Sequence, residues 1–126
     1  MSLFKGISVV AISVPDLESA RAFYAETLGL GAPTYDLPEM GWIEFSTGGP
    51  GALSLVPPED GAAFSPSTHT TVVLDVYDCG EAVATLRARG VRCDDPVPVP
   101  GMVTYASIYD PFGNRLQICS DAPADA

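Results

Sequence analysis

The sequence predicts an α+β fold that consists of two tandem βαβββ modules. One observation is an internal repeat, in which Val9–Asp16 matches Thr71–Asp78 at an offset of 62 positions. The other is the order of elements: in each half a β-branched strand leads into an Asp-capped helix, and short extended segments follow. At 126 residues and 47% hydrophobic content, the chain has the size and composition of one globular domain.

The domain boundaries follow from changes in composition along the chain. A proline-rich stretch without periodicity separates the two modules, and a short acidic segment of small residues ends the chain. Because each module leaves one sheet face uncovered by its own helix, the two should pack as a pair. The expected boundaries are 4–122 for the domain, 6–57 for module one, 58–67 for a linker loop, 68–120 for module two and 121–126 for a frayed tail.

Module one begins with the β-branched strand Ile7–Val14, which Pro15 ends. Asp16 can cap the next helix, because its carboxylate can accept hydrogen bonds from the first free backbone N–H groups. Gly29 ends this helix, since glycine tolerates a left-handed backbone. Apolar residues recur at helical spacing at Leu17, Ala20, Tyr24 and Leu28. The extended segments that follow are Thr34–Leu37, Trp42–Ser46 and Ala52–Val56.

Module two repeats this order. The strand Thr70–Val76 leads to Asp78, which caps a second helix and forms a capping box with Glu81. Gly90 ends that helix, and residues 110–114 have the Asp, Pro, Gly and Asn composition of a tight turn. The remaining predicted strands are Val91–Cys93, Val103–Tyr109 and Arg115–Cys119.

Successive side chains of a strand point to opposite faces of a sheet, which divides the strand residues into two sets. The helix-facing core set is Val10, Ile12, Val14, Ile43, Phe45, Leu53, Leu55, Val72, Leu74, Val76, Leu116 and Ile118. The opposite set is Val9, Ala11, Ser13, Trp42, Glu44, Ser46, Ala52, Ser54, Val56, His69, Thr71, Val73, Asp75, Arg115, Gln117 and Cys119, joined by Tyr105, Ser107 and Tyr109 if their strand has the matching register. Mixed apolar walls with sparse polar groups are typical of ligand pockets.

The charge balance excludes several classes of partner. Six basic residues against 16 acidic residues give a formal net charge of −10, which lacks the basic footprint that nucleic acids require. The longest apolar run, Ile7–Val14, is too short to cross a bilayer. We expect a cytoplasmic protein without nucleic-acid or membrane partners.

The three cysteines, Cys79, Cys93 and Cys119, are odd in number and widely spaced, so they predict neither a disulfide framework nor a zinc site. A reactive thiol is one interpretation, but small buried residues in a reducing compartment fit better. The sequence also lacks a nucleophile elbow, an HExxH motif and a phosphate-binding loop.

Two motifs, in this order along the chain, make the sequence resemble the vicinal-oxygen-chelate superfamily. This superfamily includes glyoxalase I, bleomycin-resistance proteins, extradiol dioxygenases and fosfomycin-resistance enzymes. The motifs are Val14-Pro15-Asp16-Leu17-Glu18 with Phe23-Tyr24-Ala25-Glu26-Thr27-Leu28-Gly29-Leu30, and Asp110-Pro111-Phe112-Gly113-Asn114-Arg115-Leu116-Gln117-Ile118. The similarity spans residues 6 to 120. It implies curled mixed sheets that form a cup with the helices outside, a homodimer and a small-molecule ligand.

The resemblance also implies where a metal would bind, on the first and last strands of each module. Those positions hold Val9, Ser54, Thr71 and Gln117. Valine has no donor atom, serine and threonine hydroxyls are weak ligands, and one glutamine amide is insufficient. We therefore expect no metal and no other cofactor. The alternative is a metal site with only three protein ligands, His69, Glu44 and Gln117.

The ligand-binding candidates are Trp42, Glu44, Ser54, His69, Thr71, Tyr105, Arg115 and Gln117. Trp42 is either a stacking wall or a core or interface residue, and Glu44 is either a cation anchor or base or a solvated strand residue. Arg115 could bind a carboxylate. The favoured function is metal-independent binding or sequestration of a small organic compound, such as a cationic aromatic one. The alternatives are a metal-dependent lyase, isomerase or dioxygenase that uses His69 and Glu44, and a fold relative that acts only through interaction.

Overall fold

In the computed structural model, which describes residues 3, 5–59, 62–68 and 72–122, the described chain forms nine strands and two α-helices. The strands are β1 (Val9–Ser13), β2 (Tyr35–Leu37), β3 (Trp42–Ser46), β4 (Ala52–Val56), β5 (Val72–Asp75), β6 (Arg92–Cys93), β7 (Val97–Val99), β8 (Val103–Tyr109) and β9 (Arg115–Asp121). The helices are α1 (Leu17–Ala22) and α2 (Cys79–Ala88). Two compact units, Met1–Ser65 and Pro66–Ala126, divide the chain within the segment predicted as a linker.

Unit one contains a four-stranded mixed sheet in the order β1-β4-β3-β2. Strand β1 runs parallel to β4, and the other neighbours are antiparallel. Its core lies between the sheet and the helical segment 17–27, where the Tyr24 and Phe45 ring centroids are 6.4 Å apart. The first strand is shorter than predicted: it begins at Val9, and Ile7 is 76% exposed.

The first helix changes its hydrogen-bond pattern part-way along. The Asp16 carboxylate accepts from the backbone N–H of Glu18, which confirms the predicted cap. After α1 the chain widens into a π-helical turn over Phe23–Thr27, in which the N–H of Leu28 donates to the carbonyl of Phe23 at 2.7 Å. The predicted helix therefore continues to Gly29, which has a φ of 93°, but not as a regular α-helix.

Unit two contains a second mixed sheet in the order β5-β9-β8-β6, with β7 also paired to β8. Strand β5 runs parallel to β9, and the remaining pairs are antiparallel. Helix α2 packs on this sheet and buries Cys79, Val83 and Leu86. The two units thus share the predicted order of strand, helix and following strands.

The structure of unit two differs from the prediction in one missed strand and in several strand ends, including that of β6, which begins at Arg92 and not at Val91. Strand β7 was missed because Pro98 interrupts its pattern; proline is tolerated there because only β8 pairs with this strand. Strand β9 continues to Asp121, so the frayed tail does not begin at that residue, and 123–126 lie outside the described residues. Strand β5 ends at Asp75, one residue earlier than expected.

The predicted core set is buried at its centre and half-buried at its margins. The buried members are Ile12, Val14, Ile43, Phe45, Leu53, Leu55, Leu116 and Ile118. The half-buried members are Val10, Val72, Leu74 and Val76. Three of the half-buried residues lie on or directly after β5, which is the terminal strand of its sheet and has a strand neighbour on one side only among the described residues.

The turn between β8 and β9 is held by buried polar side chains. One oxygen of the Asp110 carboxylate accepts from the backbone N–H groups of Phe112 at 3.0 Å and Asn114 at 2.8 Å. Its other oxygen accepts from the Asn114 side-chain amide at 2.8 Å, and the amide oxygen of Asn114 accepts from the N–H of Ser67 at 2.7 Å. Gly113 has a φ of 93°, as the predicted turn requires.

The cap of α2 provides a first testable prediction. The Asp78 carboxylate accepts from the N–H of Glu81 at 2.9 Å, which satisfies one of the free donors of the first turn. We expect Asp78→Ala to lower the free energy of unfolding by about 1 kcal/mol in urea denaturation, and Asp78→Ser to lower it by less. Equal losses for both variants would mean that capping is not the cause.

Candidate functional site

The first candidate surface is the face of the unit one sheet opposite α1, here called the Trp42 face. Its members alternate with the core residues along each strand and are Val9, Ala11, Ser13, Tyr35, Leu37, Trp42, Glu44, Ser46, Ala52, Ser54 and Val56. One row of this face runs across the sheet through Ala11, Ser54, Glu44 and Tyr35. The register therefore brings together three predicted binding residues, Trp42, Glu44 and Ser54.

Trp42 and Glu44 form a direct hydrogen bond on this face. The indole Nε1–H donates to a carboxylate oxygen of Glu44 at 3.0 Å, and both side chains are partly buried. The bond spans two residues of one strand, so it depends only on the strand backbone and the two rotamers. It orients a flat aromatic surface beside a carboxylate, which is the pair of features that a cationic aromatic group recognises.

Ser54 lies beside this pair and is fully buried, with 0% exposure. Its hydroxyl has no hydrogen-bond partner in the described part of the chain. A buried unpaired hydroxyl costs about 1–3 kcal/mol, so it adds a polar group to this face at the expense of stability. Its strand neighbours on the same face are Ala11 and Glu44.

The second candidate surface belongs to unit two and is here called the Tyr109 face. Its members are Val73, Asp75, Arg92, Val97, Val99, Val103, Tyr105, Ser107, Tyr109, Arg115, Gln117, Cys119 and Asp121. The pairs Tyr105–Cys119 and Ser107–Gln117 set the register that the sequence left open. The Gln117 side-chain amide donates to the Ser107 hydroxyl at 3.2 Å.

The cysteines have the character of packed residues. Burial raises the pKa of Cys79, Cys93 and Cys119 above the ordinary value, and the nearby Asp75 carboxylate also raises that of Cys119. A raised pKa disfavours the thiolate, which is the reactive form. These observations favour the structural interpretation of the thiols over the reactive one.

Comparison with known families decides the membership of the chain. A family model for the Glyoxalase/Bleomycin resistance protein/Dioxygenase superfamily matches residues 6–118. The chain belongs to this superfamily. The resemblance inferred from the two motifs is therefore confirmed, and so is the α+β fold class, since solved superfamily structures match nearly the whole chain.

Three solved structures illustrate the similarity. A superfamily member from Sphaerobacter thermophilus DSM 20745 is 26% identical, with a TM-score of 0.80, over 95% of this chain and 100% of that one. A glyoxalase/bleomycin resistance protein from Streptomyces sp. CB03234 is 27% identical, with a TM-score of 0.73, over 90% and 98% of the two chains. The antibiotic-binding protein TnmS3 from the same organism is 25% identical, with a TM-score of 0.76, over 97% and 100%. No curated protein matches the chain.

The superfamily resemblance implies a metal, but the described residues do not fit one. Val9 has no donor atom, the Ser54 hydroxyl is a weak ligand, and Gln117 offers a single neutral amide oxygen. Among residues 3, 5–59, 62–68 and 72–122, no three His, Cys, Asp or Glu side chains cluster so that they could hold an ion. Thr71 and His69 lie outside the described residues.

The structure thus distributes the predicted ligand-binding residues over two surfaces. Tyr105, Arg115 and Gln117 lie on the Tyr109 face. The sequence missed two neighbours of these sites, Tyr35 beside Glu44 and Arg92 beside Tyr109. A signal for Arg92 was present, because it alternates with Val91 and Cys93 in a predicted strand.

The described segments also contain no helix with the length and apolar character of a membrane span.

Proposed function

We propose that the protein binds and sequesters a small cationic aromatic compound on the Trp42 face, without a metal. The observation that carries this proposal is the hydrogen bond between Trp42 and Glu44. The indole offers a π surface to an aromatic or cationic group, and the carboxylate offers a counter-charge. Because Glu44 is only partly exposed, its charge is less screened there than on an open surface.

The net charge supports a cationic ligand, and two further observations support binding of a small molecule without a metal. The net charge of −10 attracts cations at long range and raises their local concentration. The chain is also similar over nearly its full length to an antibiotic-binding protein, which is evidence that this fold can bind a small molecule. The donor-poor positions of the superfamily metal site favour binding over metal-dependent catalysis.

Trp42 makes the proposal directly testable, because it is the only tryptophan in the chain. Titration with a panel of cationic aromatic amines should change the tryptophan fluorescence in a saturable way, whereas their neutral N-acetylated counterparts should not. We expect Glu44→Gln to raise the Kd of a binding amine about tenfold, since a charge-assisted contact is lost. The same amines should raise the thermal midpoint of the wild-type protein.

The matched control is Glu39→Gln, which changes the net charge equally at an exposed position in the short 3₁₀ turn Pro38–Met40 that precedes β3. This variant should bind the amines like the wild type. Equal losses for both variants would reduce the effect to overall charge and contradict the site. Thermal stabilisation by divalent metal ions alone would instead support the enzyme alternative that involves His69.

A further inference from the structure

A second cluster of chemistry-bearing side chains surrounds Tyr109 in unit two. The guanidinium carbon of Arg92 lies 4.0 Å from the centroid of the Tyr109 ring, within the range of a cation–π contact. The Tyr109 hydroxyl donates to a carboxylate oxygen of Asp94 at 2.9 Å. Asp94 thereby fixes the hydroxyl end of the Tyr109 ring, and the face of the ring contacts the Arg92 guanidinium.

The sheet register places a second arginine on the other side of Tyr109. Tyr109 pairs with Arg92 on β6 and with Arg115 on β9, so the three side chains share one face. The hydrogen bond to Asp94 is the main cause that raises the pKa of Tyr109, while the charges of Arg92 and Arg115 act in the opposite direction. Both guanidinium groups are therefore close enough to act on the phenol.

The guanidinium of Arg92 has donors that the described part of the chain does not use. Elsewhere Arg21 is paired with Asp36 at 2.7 Å and Arg87 with Asp95 at 2.8 Å. Across the described segments, no hydrogen bond or ion pair engages the guanidinium of Arg92, and this residue is exposed. The Tyr109 ring covers one face of the Arg92 guanidinium. The N–H groups along the edge of the guanidinium can therefore donate hydrogen bonds to a ligand.

We propose that Arg92, supported by Tyr109 and flanked by Arg115, binds the carboxylate of a small aromatic acid. The planar guanidinium edge matches the two oxygens of a carboxylate, and a guanidinium plane also stacks well on aromatic rings. Asp94 selects against more highly charged anions, because its carboxylate repels a dianion more strongly than a monoanion. The site lies within residues 66–126 and shares no residue with the Trp42 face, so it does not depend on the proposed function.

The test uses the full-length protein labelled with ¹⁵N and benzoate as the probe. The side-chain Nε–Hε signals of the five arginines can be resolved and assigned by single substitution. Benzoate should shift the Arg92 signal in a saturable way at constant ionic strength. Benzamide, the neutral analogue, and inorganic phosphate should leave it nearly unchanged.

Three variants decide the outcome. In the variants that lack Arg92, benzoate binding is followed by the backbone amide signals of Tyr109 and its neighbours. Arg92→Gln should weaken this binding at least about tenfold, and Arg92→Lys several-fold because it keeps the charge but loses the planar edge. Arg89→Gln changes the net charge equally at the exposed end of α2 and should bind like the wild type. An undiminished benzoate response in Arg92→Gln, or equal responses to benzamide or phosphate in the wild type, would overturn the proposal. A folded Arg92→Lys variant with wild-type affinity would do so as well.

Discussion

We expect Asn114→Ala to lower the free energy of unfolding by about 3 kcal/mol, because its side-chain amide joins the β8–β9 turn to the segment that precedes β5. Its nitrogen donates to Asp110 at 2.8 Å, and its oxygen accepts from the N–H of Ser67 at 2.7 Å. Both Asp110 and Asn114 are buried, at 5% and 1% exposure. Truncation therefore removes one hydrogen-bond partner from the Asp110 carboxylate and one from the backbone N–H of Ser67. Urea denaturation at neutral pH measures the loss.

A matched control separates this network from general effects of truncation. Thr68→Ala removes a side chain from an exposed position one residue beyond Ser67 and should change stability by less than about 0.5 kcal/mol. Asn114→Asp would place a second carboxylate against that of Asp110, so its cost should be larger at neutral pH than in acid, where the carboxylates are protonated. A loss below about 1 kcal/mol for Asn114→Ala would show that other groups satisfy the turn.

Local patterns explain most of what the sequence predicted correctly. Asp16 and Asp78 were recognisable as caps because the required acceptor lies within the first helical turn. The bounds of β3 and β4 were correct because glycine-rich or polar segments flank clear alternating patterns. The π-helical turn at Phe23–Thr27 was not predicted, since its side-chain pattern fits an ordinary helix equally well.

The site was less predictable because its contacts depend on register and rotamers. A period of two placed Trp42 and Glu44 on one face, but it could not show that their side chains bond to each other. The stacking of Arg92 on Tyr109 joins residues of different strands and required the β6–β8 register. The homodimer, the cytoplasmic location and the roles of His69 and Thr71 stay predictions.

Substitutions on one face of β3 should change stability, and substitutions on the other face should change ligand binding. Of these, Phe45→Ala should have the largest effect on stability. Phe45 is fully buried, packs near the Tyr24 ring and pairs with Leu53, whereas its neighbour Glu44 lies on the Trp42 face. We expect Phe45→Ala to lower the free energy of unfolding by about 4 kcal/mol, through lost burial and the cavity left behind. Chemical denaturation followed by circular dichroism measures it.

The ligand readout then shows whether the strand is divided as proposed. Because Phe45→Ala could remove most of the stability of a domain this size, the titration uses Phe45→Leu, which should retain enough to fold. Its tryptophan fluorescence titration with a cationic aromatic amine should give the wild-type Kd. Glu44→Gln should show the converse, with near wild-type stability and a Kd raised about tenfold. If Phe45→Leu weakened binding as much as Glu44→Gln, ligand affinity would depend on core packing, and the division of β3 into a structural and a binding face would be wrong.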